Sequence, residues 1–388
     1  MSFFEPAPEP PTKLGRYRLL SPLAGVHVSP LVLGAMSIGD RWSKFGMGSM
    51  TKEDSFKLLD AYYDKGGNFI DTANNYQDET SERFIGEWAE ERGIRDQLFI
   101  ATKYTMGYKR ATPLAQKVMY TGNNAKSLRI SVEESLQKLR TSYIDLLYVH
   151  WWDWDTSIEE VMRSLHALVL SGKVLYLGVS DTPAWVVSKA NLHAREYALS
   201  PFVIYQGMWN VMDRSFERDI IPMARYEGLA LAPWNVVGGG KFRTDEEEER
   251  RRTTGERGRT IIDQNWERNE REKIISRALE KVAAEVGAKH ITSGMSFRDA
   301  FVIILTKSVA MAIAYVMQKT TYVFPIIGGR KVEHLEANIE ALSIALSEGQ
   351  IEFLESVVDF DIGPRPMLIS GAHLEPKPRA QPIRPISD

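Results

Sequence analysis

The sequence predicts a single (β/α)8 barrel of the TIM type. Three observations carry that expectation: eight short β-branched runs alternate with longer amphipathic segments, the first run is not followed by a dinucleotide fingerprint, and polar residues recur at the ends of several runs. The runs are Leu31–Gly34, Asn68–Ala73, Leu98–Lys103, Ile144–His150, Val174–Ser180, Val203–Gly207, Leu229–Trp234 and Tyr322–Gly328. Between them, Lys52–Lys65, Ala125–Arg140, Ser157–Ser171 and Arg271–Val286 place apolar residues at three- and four-residue spacing, as helices packed on a sheet do. A doubly wound sheet alternates in the same way but announces its nucleotide with G-x-G-x-x-G after the first strand, and that run is missing.

Length does not force a second domain, because such barrels routinely occupy 250 residues or more. The 388 residues are therefore read as one domain over 17–360, with tails at 1–16 and 361–388. With 44% hydrophobic and 26% charged residues, the chain can bury a sizeable core. A net charge of -3 gives no general attraction to nucleic acid or anionic lipid, so a small-molecule partner is expected. The lack of cysteine excludes disulfides, thiolate catalysis and cysteine-ligated zinc, and it fits a reducing compartment such as the cytoplasm. Met1–Lys13 is proline-rich and acidic, and reads as a tail rather than a signal peptide. Ala300–Met317 is long enough for a membrane span, but Lys307 at its centre costs roughly 3 kcal/mol there, so a buried or partner-facing helix is expected.

Chemistry in a (β/α)8 barrel sits at the C-terminal ends of the strands. That rule selects Asp71, Lys103, His150, Ser180, Asp181 and Gln206, with Tyr76 on the rim just beyond Asp71. Taken singly, Asp71 reads as a cap, Lys103 as a surface charge and His150 as a core histidine. Taken together, they place four proton-handling or charged groups at one mouth. A tyrosine has a reference pKa of about 10, so it handles protons near neutrality only when a neighbouring cation favours the phenolate. Lys103 is placed to supply that charge, and Asp71 to hold the lysine.

Asp71-x-x-x-x-Tyr76, then Lys103 and His150 in this order, together with Leu33–Met36, Gly178–Asp181 and Tyr205–Gln206, resemble the aldo-keto reductases over nearly the whole chain. Within that family, the stretches Pro233–Phe242 and Pro325–Ser343 are most similar to the fungal aryl-alcohol dehydrogenases. The resemblance implies NADP(H)-dependent interconversion of aryl aldehydes and alcohols without a metal. Tyr76 is then the general acid and base, Lys103 lowers its pKa, His150 orients the carbonyl oxygen and Asp71 anchors Lys103. The alternative is a regulatory β-subunit of a membrane channel built on the same barrel, which the retained His150 disfavours.

The resemblance also names cofactor positions. Met36 and Asp71 lie near the nicotinamide, and Ser180, Asp181 and Gln206 hold its carboxamide, although family members usually carry asparagine where Asp181 stands. Pro233, Trp234 and Asn235 follow, with Trp234 compensating for the aliphatic Leu231. From the residues themselves, Gly238, Gly239, Gly240 and Lys241 after the seventh run read either as bare amides and a lysine that approach the pyrophosphate or as a plain flexible loop. Gly328, Gly329 and Arg330 open a helix that favours an anion; Arg330 grips a 2′-phosphate, and His334 and Asn338 lie near the ribose phosphate. Trp151 and Trp152 are candidate walls of an aryl pocket. Asp245–Arg252 and Thr253–Arg259 read as a solvated loop, one of whose arginines clamps the cofactor. Residues 293–308 interrupt the family pattern, and the codons open to Gly294–Ser296 and Thr306–Lys307 admit an intron translated in frame as well as a true extension. Tyr315-x-x-x-Lys319 imitates the short-chain dehydrogenase pair without that family's glycine turn, and reads as coincidence.

Overall fold

The computed structural model describes residues 8–255, 265–288 and 297–360. Eight strands form one parallel sheet: β3 (Val32–Gly34), β4 (Phe69–Asp71), β5 (Phe99–Tyr104), β6 (Ile144–Val149), β7 (Val174–Ser180), β8 (Phe202–Met208), β9 (Ala230–Trp234) and β10 (Ile326–Ile327). Each pairs with its neighbour in chain order, and β10 returns to β3 through Ile326 opposite Val32. The ring closes on the other side through Val323 opposite Leu231, where Leu231 N donates to Tyr322 O and Phe324 N to Leu231 O. The last expected strand is thus divided. Residues 322–324 pair with β9 and 326–327 with β3, because Pro325 between them has no amide to donate. The other strand limits match the sequence reading to within two residues.

A hairpin that the sequence reading did not include, β1 (Arg18–Ser21) and β2 (Ala24–Val28), precedes the barrel. Its Leu20, Ala24 and Val28 join Val32, Phe69, Phe99, Ala101, Leu146, Tyr148, Ile204, Ala230 and Phe324 in one buried cluster. The hairpin therefore plugs the N-terminal end of the barrel with apolar side chains, leaving the C-terminal mouth for chemistry. The helices α1 (Lys52–Asp64), α2 (Thr80–Arg92), α3 (Ala125–Lys138), α4 (Ile158–Leu170), α5 (Ala184–Glu196) and α6 (Ile220–Glu227) follow the strands in alternation, and their apolar faces make the larger core against the outside of the sheet. Side-chain oxygens of Thr51, Asn124 and Ser157 accept from Asp54 N, Ser127 N and Glu160 N, fixing where α1, α3 and α4 begin.

Asp245–Thr254 is a helix (α7), not the loop expected from its charges. Thr244 caps it, four acidic residues fill its first turn and two arginines its last turn, an order that suits the helix dipole. The rest of the expected clamp, 256–259, lies outside the described residues, as do residues 1–7 and 361–388 of the two tails. After α8 (Glu270–Ala288), helix α9 (Phe297–Lys319) carries the chain to β10, and Ala310–Val316 within it are fully buried. Residues 293–296 of the unusual segment lie outside the described residues, and the remainder continues into α9. Among the described residues, no helix is long and apolar enough to cross a membrane. Tyr315 and Lys319 both bond to Glu355 of α11 (Glu348–Ser356), so the short-chain-like pair is a tie to that helix.

Candidate active site

Strand parity assembles the site. Phe69 on β4, Phe99 and Ala101 on β5, Leu146 and Tyr148 on β6, Ile204 on β8, and Ala230 and Ala232 on β9 all belong to the cluster inside the barrel. Side chains two residues further along the same strands point the same way. Asp71, Lys103, His150, Gln206 and Trp234 therefore extend that inward set to the mouth.

Lys103 is completely buried. Its Nζ donates to Asp71 Oδ1 at 2.5 Å and Thr72 O at 2.8 Å, and stands 3.5 Å from the Tyr76 hydroxyl. Burial on its own would lower the Lys103 pKa, but the adjoining Asp71 carboxylate and then Tyr76 hold it above the ordinary lysine value. The lysine thus stays charged beside the tyrosine. Gln206 Nε2 donates to Asp71 Oδ2 at 2.9 Å, so both oxygens of the anchoring carboxylate are engaged.

Tyr76 meets His150 edge to face, with ring centroids 5.9 Å apart, and the Lys103 ammonium lies 5.0 Å from the centre of its ring. Burial, followed by the charge on Lys103, lowers the His150 pKa well below the usual histidine range, so its imidazole is neutral. His150 Nδ1 is buried and finds no hydrogen-bond partner among the described residues.

The expected carboxamide contacts sit beside this group. Ser180 and Gln206 are opposite each other in the β7–β8 register, and both are buried. Asp181 follows with φ 43°, its carboxylate accepting from Trp234 Nε1 and Ser180 Oγ, both at 3.2 Å. The residue as a whole is exposed, yet desolvation at the mouth outweighs those two bonds and pushes its carboxyl up to about 6. Pro233 is buried in β9, and Met36 and Asn235 are half-buried at the ends of β3 and β9.

Gly238, Gly239 and Gly240 all have positive φ, 58°, 64° and 87°, a run suited to glycine, and the expected bare amides are in part used within the turn: Gly238 N donates to Asn235 O at 2.9 Å and Gly240 N to Val237 O at 3.0 Å. Lys241 points elsewhere: it is buried and pairs with Glu272 of α8 at 3.3 Å. Its expected contact with pyrophosphate therefore requires that pair to open. Gly328, Gly329 and the exposed Arg330 precede α10 (Val332–Ile339), on which His334 and the buried Asn338 lie. Gly48 packs close to Arg330: a Cβ there would lie 3.3 Å from its side chain.

Of the two candidate aromatic walls, Trp151 is 44% exposed with its ring 5.8 Å from His150, whereas Trp152 is 9% exposed and packed in the outer core. The structure brings Trp151 to the site and assigns Trp152 to packing. Trp42 was missed by the sequence reading, since its loop has no periodicity. It is buried and meets Tyr76 edge to face at 6.1 Å. Three successive residues after Tyr76, namely Gln77, Asp78 and Glu79, have positive φ (53°, 47° and 82°), a strain of about 1–3 kcal/mol each in non-glycine residues. Such strain persists only where surrounding contacts enforce it.

The aldo/keto reductase family model matches residues 30–359. The chain is 58% identical to the aryl-alcohol dehydrogenase [NADP(+)] of Phanerodontia chrysosporium, over 99% of this chain and 100% of that protein. It is 52% identical to the aldo-keto reductase ausK of Emericella nidulans (94% and 86%) and 51% identical to norsolorinic acid reductase A of Aspergillus parasiticus (92% and 84%). With a closed parallel barrel, a charged lysine between an aspartate and a tyrosine, and a match spanning almost the entire barrel, the chain belongs to the aldo/keto reductase family.

Proposed function

We propose that the protein is an NADP(H)-dependent oxidoreductase that interconverts aryl aldehydes and aryl alcohols. The observation that carries the reading is the buried Lys103, charged, bonded to Asp71 and 3.5 Å from the Tyr76 hydroxyl. The name of the Phanerodontia chrysosporium relative supports both the cofactor and the substrate class. The turn of Gly238–Gly240, which has no side chains to keep a ligand off the backbone, and the arginine ahead of α10 fit a dinucleotide phosphate. When bound, the dinucleotide supplies or accepts the hydride.

The chain's own residues handle the proton and the geometry. Tyr76 donates its hydroxyl proton to the carbonyl oxygen in reduction and takes it back in oxidation. The Lys103 charge favours the phenolate left behind, and Asp71 keeps that charge in place. Neutral His150 donates a hydrogen bond to the same oxygen and orients it without competing as an acid. Ser180, Asp181 and Gln206 line the side of the mouth where the nicotinamide carboxamide lies, while Trp42 and Trp151 offer flat apolar surface to an aryl ring. Arg330 holds the 2′-phosphate through paired donors.

Tyr76→Phe tests the reading. Turnover of a benzaldehyde should fall by about 10²- to 10⁴-fold, while NADPH binding, followed by quenching of tryptophan fluorescence, stays close to that of the unaltered enzyme. Equal loss of NADPH affinity would contradict the role given to Tyr76.

A further inference from the structure

We propose that Gln77 is a positioning residue, whose side-chain amide latches the Tyr76 loop to the loop of residues 36–48 and so sets where the Tyr76 hydroxyl stands. The inference rests on the reading of Tyr76 as proton donor.

Gln77 is fully buried, and its amide makes four hydrogen bonds to one neighbouring loop. Nε2 donates to Met36 O and Gly48 O, both at 2.9 Å, and Oε1 accepts from Arg41 N at 3.0 Å and Trp42 N at 2.8 Å. Both donor hydrogens and both acceptor sites are thereby satisfied. Gly39, at φ 126°, makes room for the side chain: a Cβ there would lie 2.5 Å from that of Gln77. The flanking residues add ties of their own. Asp78 accepts from Trp42 Nε1 at 3.1 Å, and Glu79 pairs with Lys109 at 3.0 Å and Lys138 at 3.4 Å.

A glutamine that merely filled space would not explain why the residue next to Tyr76 adopts a left-handed backbone. The turn is held by side-chain bonds, so those bonds decide the direction in which the chain leaves Tyr76. The same amide fixes the backbone of Trp42, whose ring lies against Tyr76, and of Gly48, which packs on Arg330. One buried side chain therefore links the proton donor, a wall of the aryl pocket and the candidate phosphate arginine.

Two variants separate placement from folding. Gln77→Glu keeps the shape but turns a carboxylate toward the carbonyl oxygens of Met36 and Gly48. Gln77→Gly removes all four bonds while relieving the left-handed residue. Both are assayed beside Tyr76→Phe for kcat, aldehyde KM, NADPH affinity and Tm, with kcat expressed per NADPH-binding site. We expect kcat per site to fall about 10- to 100-fold in both variants, because small misplacement of a reacting group carries penalties of that size. NADPH affinity should stay within about threefold, since the amide touches the proposed cofactor positions only through the backbone carbonyl of Met36. Unchanged kcat per site in the Gln77 variants, with Tyr76→Phe inactive, overturns the latch and leaves the proton donor standing. A Tyr76→Phe enzyme that keeps its turnover overturns the donor reading and the latch with it.

Discussion

Gln206 Nε2 donates to Asp71 Oδ2 at 2.9 Å, joining β8 to β4 on the opposite side of the barrel mouth. With Lys103 on Oδ1, the aspartate has no freedom to turn away from the lysine. The bond also defines what Gln206 has left to offer. One N–H of its amide is engaged, which leaves Oε1 as an acceptor and the second N–H as a donor; in the proposed site, Oε1 accepts from the nicotinamide carboxamide nitrogen. Asp181 is an acceptor as well when ionised, and the two side chains therefore favour the same orientation of that group.

Removing one member of the buried pair should cost more than catalysis. Lys103→Met leaves Asp71 desolvated with a single partner, and we expect a loss of about 3–5 kcal/mol in unfolding free energy together with loss of turnover. Denaturant titration checks the stability; a loss below about 1 kcal/mol would show that the pair is not held as tightly as its burial indicates.

His150 gives a pH signature in stability. It is neutral in the folded protein because burial and Lys103 lower its pKa, whereas the unfolded chain binds a proton below about 6.5. The folded state is therefore penalised as pH falls through that value, and Tm should drop from pH 7 to pH 5. In His150→Gln, the slope of unfolding free energy against pH should be smaller by about one proton over that interval. An unchanged slope would place the ionisation elsewhere.

Asp181 gives a pH signature in binding. Its carboxyl is pushed up to about 6 by desolvation, so it is charged at pH 7.5 and gains a proton as pH falls toward 5. A carboxylate beside the nicotinamide favours the cationic oxidised ring over the neutral reduced one. The ratio of the Kd of NADP+ to that of NADPH should rise as pH falls through about 6, and Asp181→Asn should flatten it. Calorimetric titration of both forms at several pH values checks this, and a ratio with the same pH dependence in the variant would remove Asp181 from the nicotinamide.

Gly39→Ala approaches the loop latch from the opposite side. The added methyl would meet Gln77 Cβ at 2.5 Å and force an L-residue to φ 126°. We expect kcat to fall about tenfold or more while the far-ultraviolet circular dichroism is retained, as small displacements of a reacting group produce such losses. Full turnover in this variant would show that the loop tolerates the shift.

Much of this arrangement is legible in the sequence, for physical reasons. β-branched runs ending in Asp71, Lys103 and His150 declare both the strands and, through their alternation, the inward face. Other features leave no local trace. The β1–β2 hairpin is two short strands whose apolar residues make sense only once the barrel end they plug exists. Helix α7 carries almost no apolar periodicity; its charges are arranged along the helix dipole, and Arg243, Glu248 and Arg268 bury themselves in one ion-paired group. Lys241 looks like a phosphate ligand in a glycine-rich turn, yet Glu272 reaches it from α8. Gln77 looks like any polar loop residue until the loop of residues 36–48 folds around it.

The most direct test of the central claim is the rate of NADPH absorbance loss with the purified full-length chain, comparing a benzaldehyde with an aliphatic aldehyde at matched concentration and NADH as control. The account predicts faster turnover of the aryl aldehyde and a clear preference for NADPH. Tight NADPH binding without turnover of either aldehyde would contradict it and point to a barrel that binds the nucleotide for regulation.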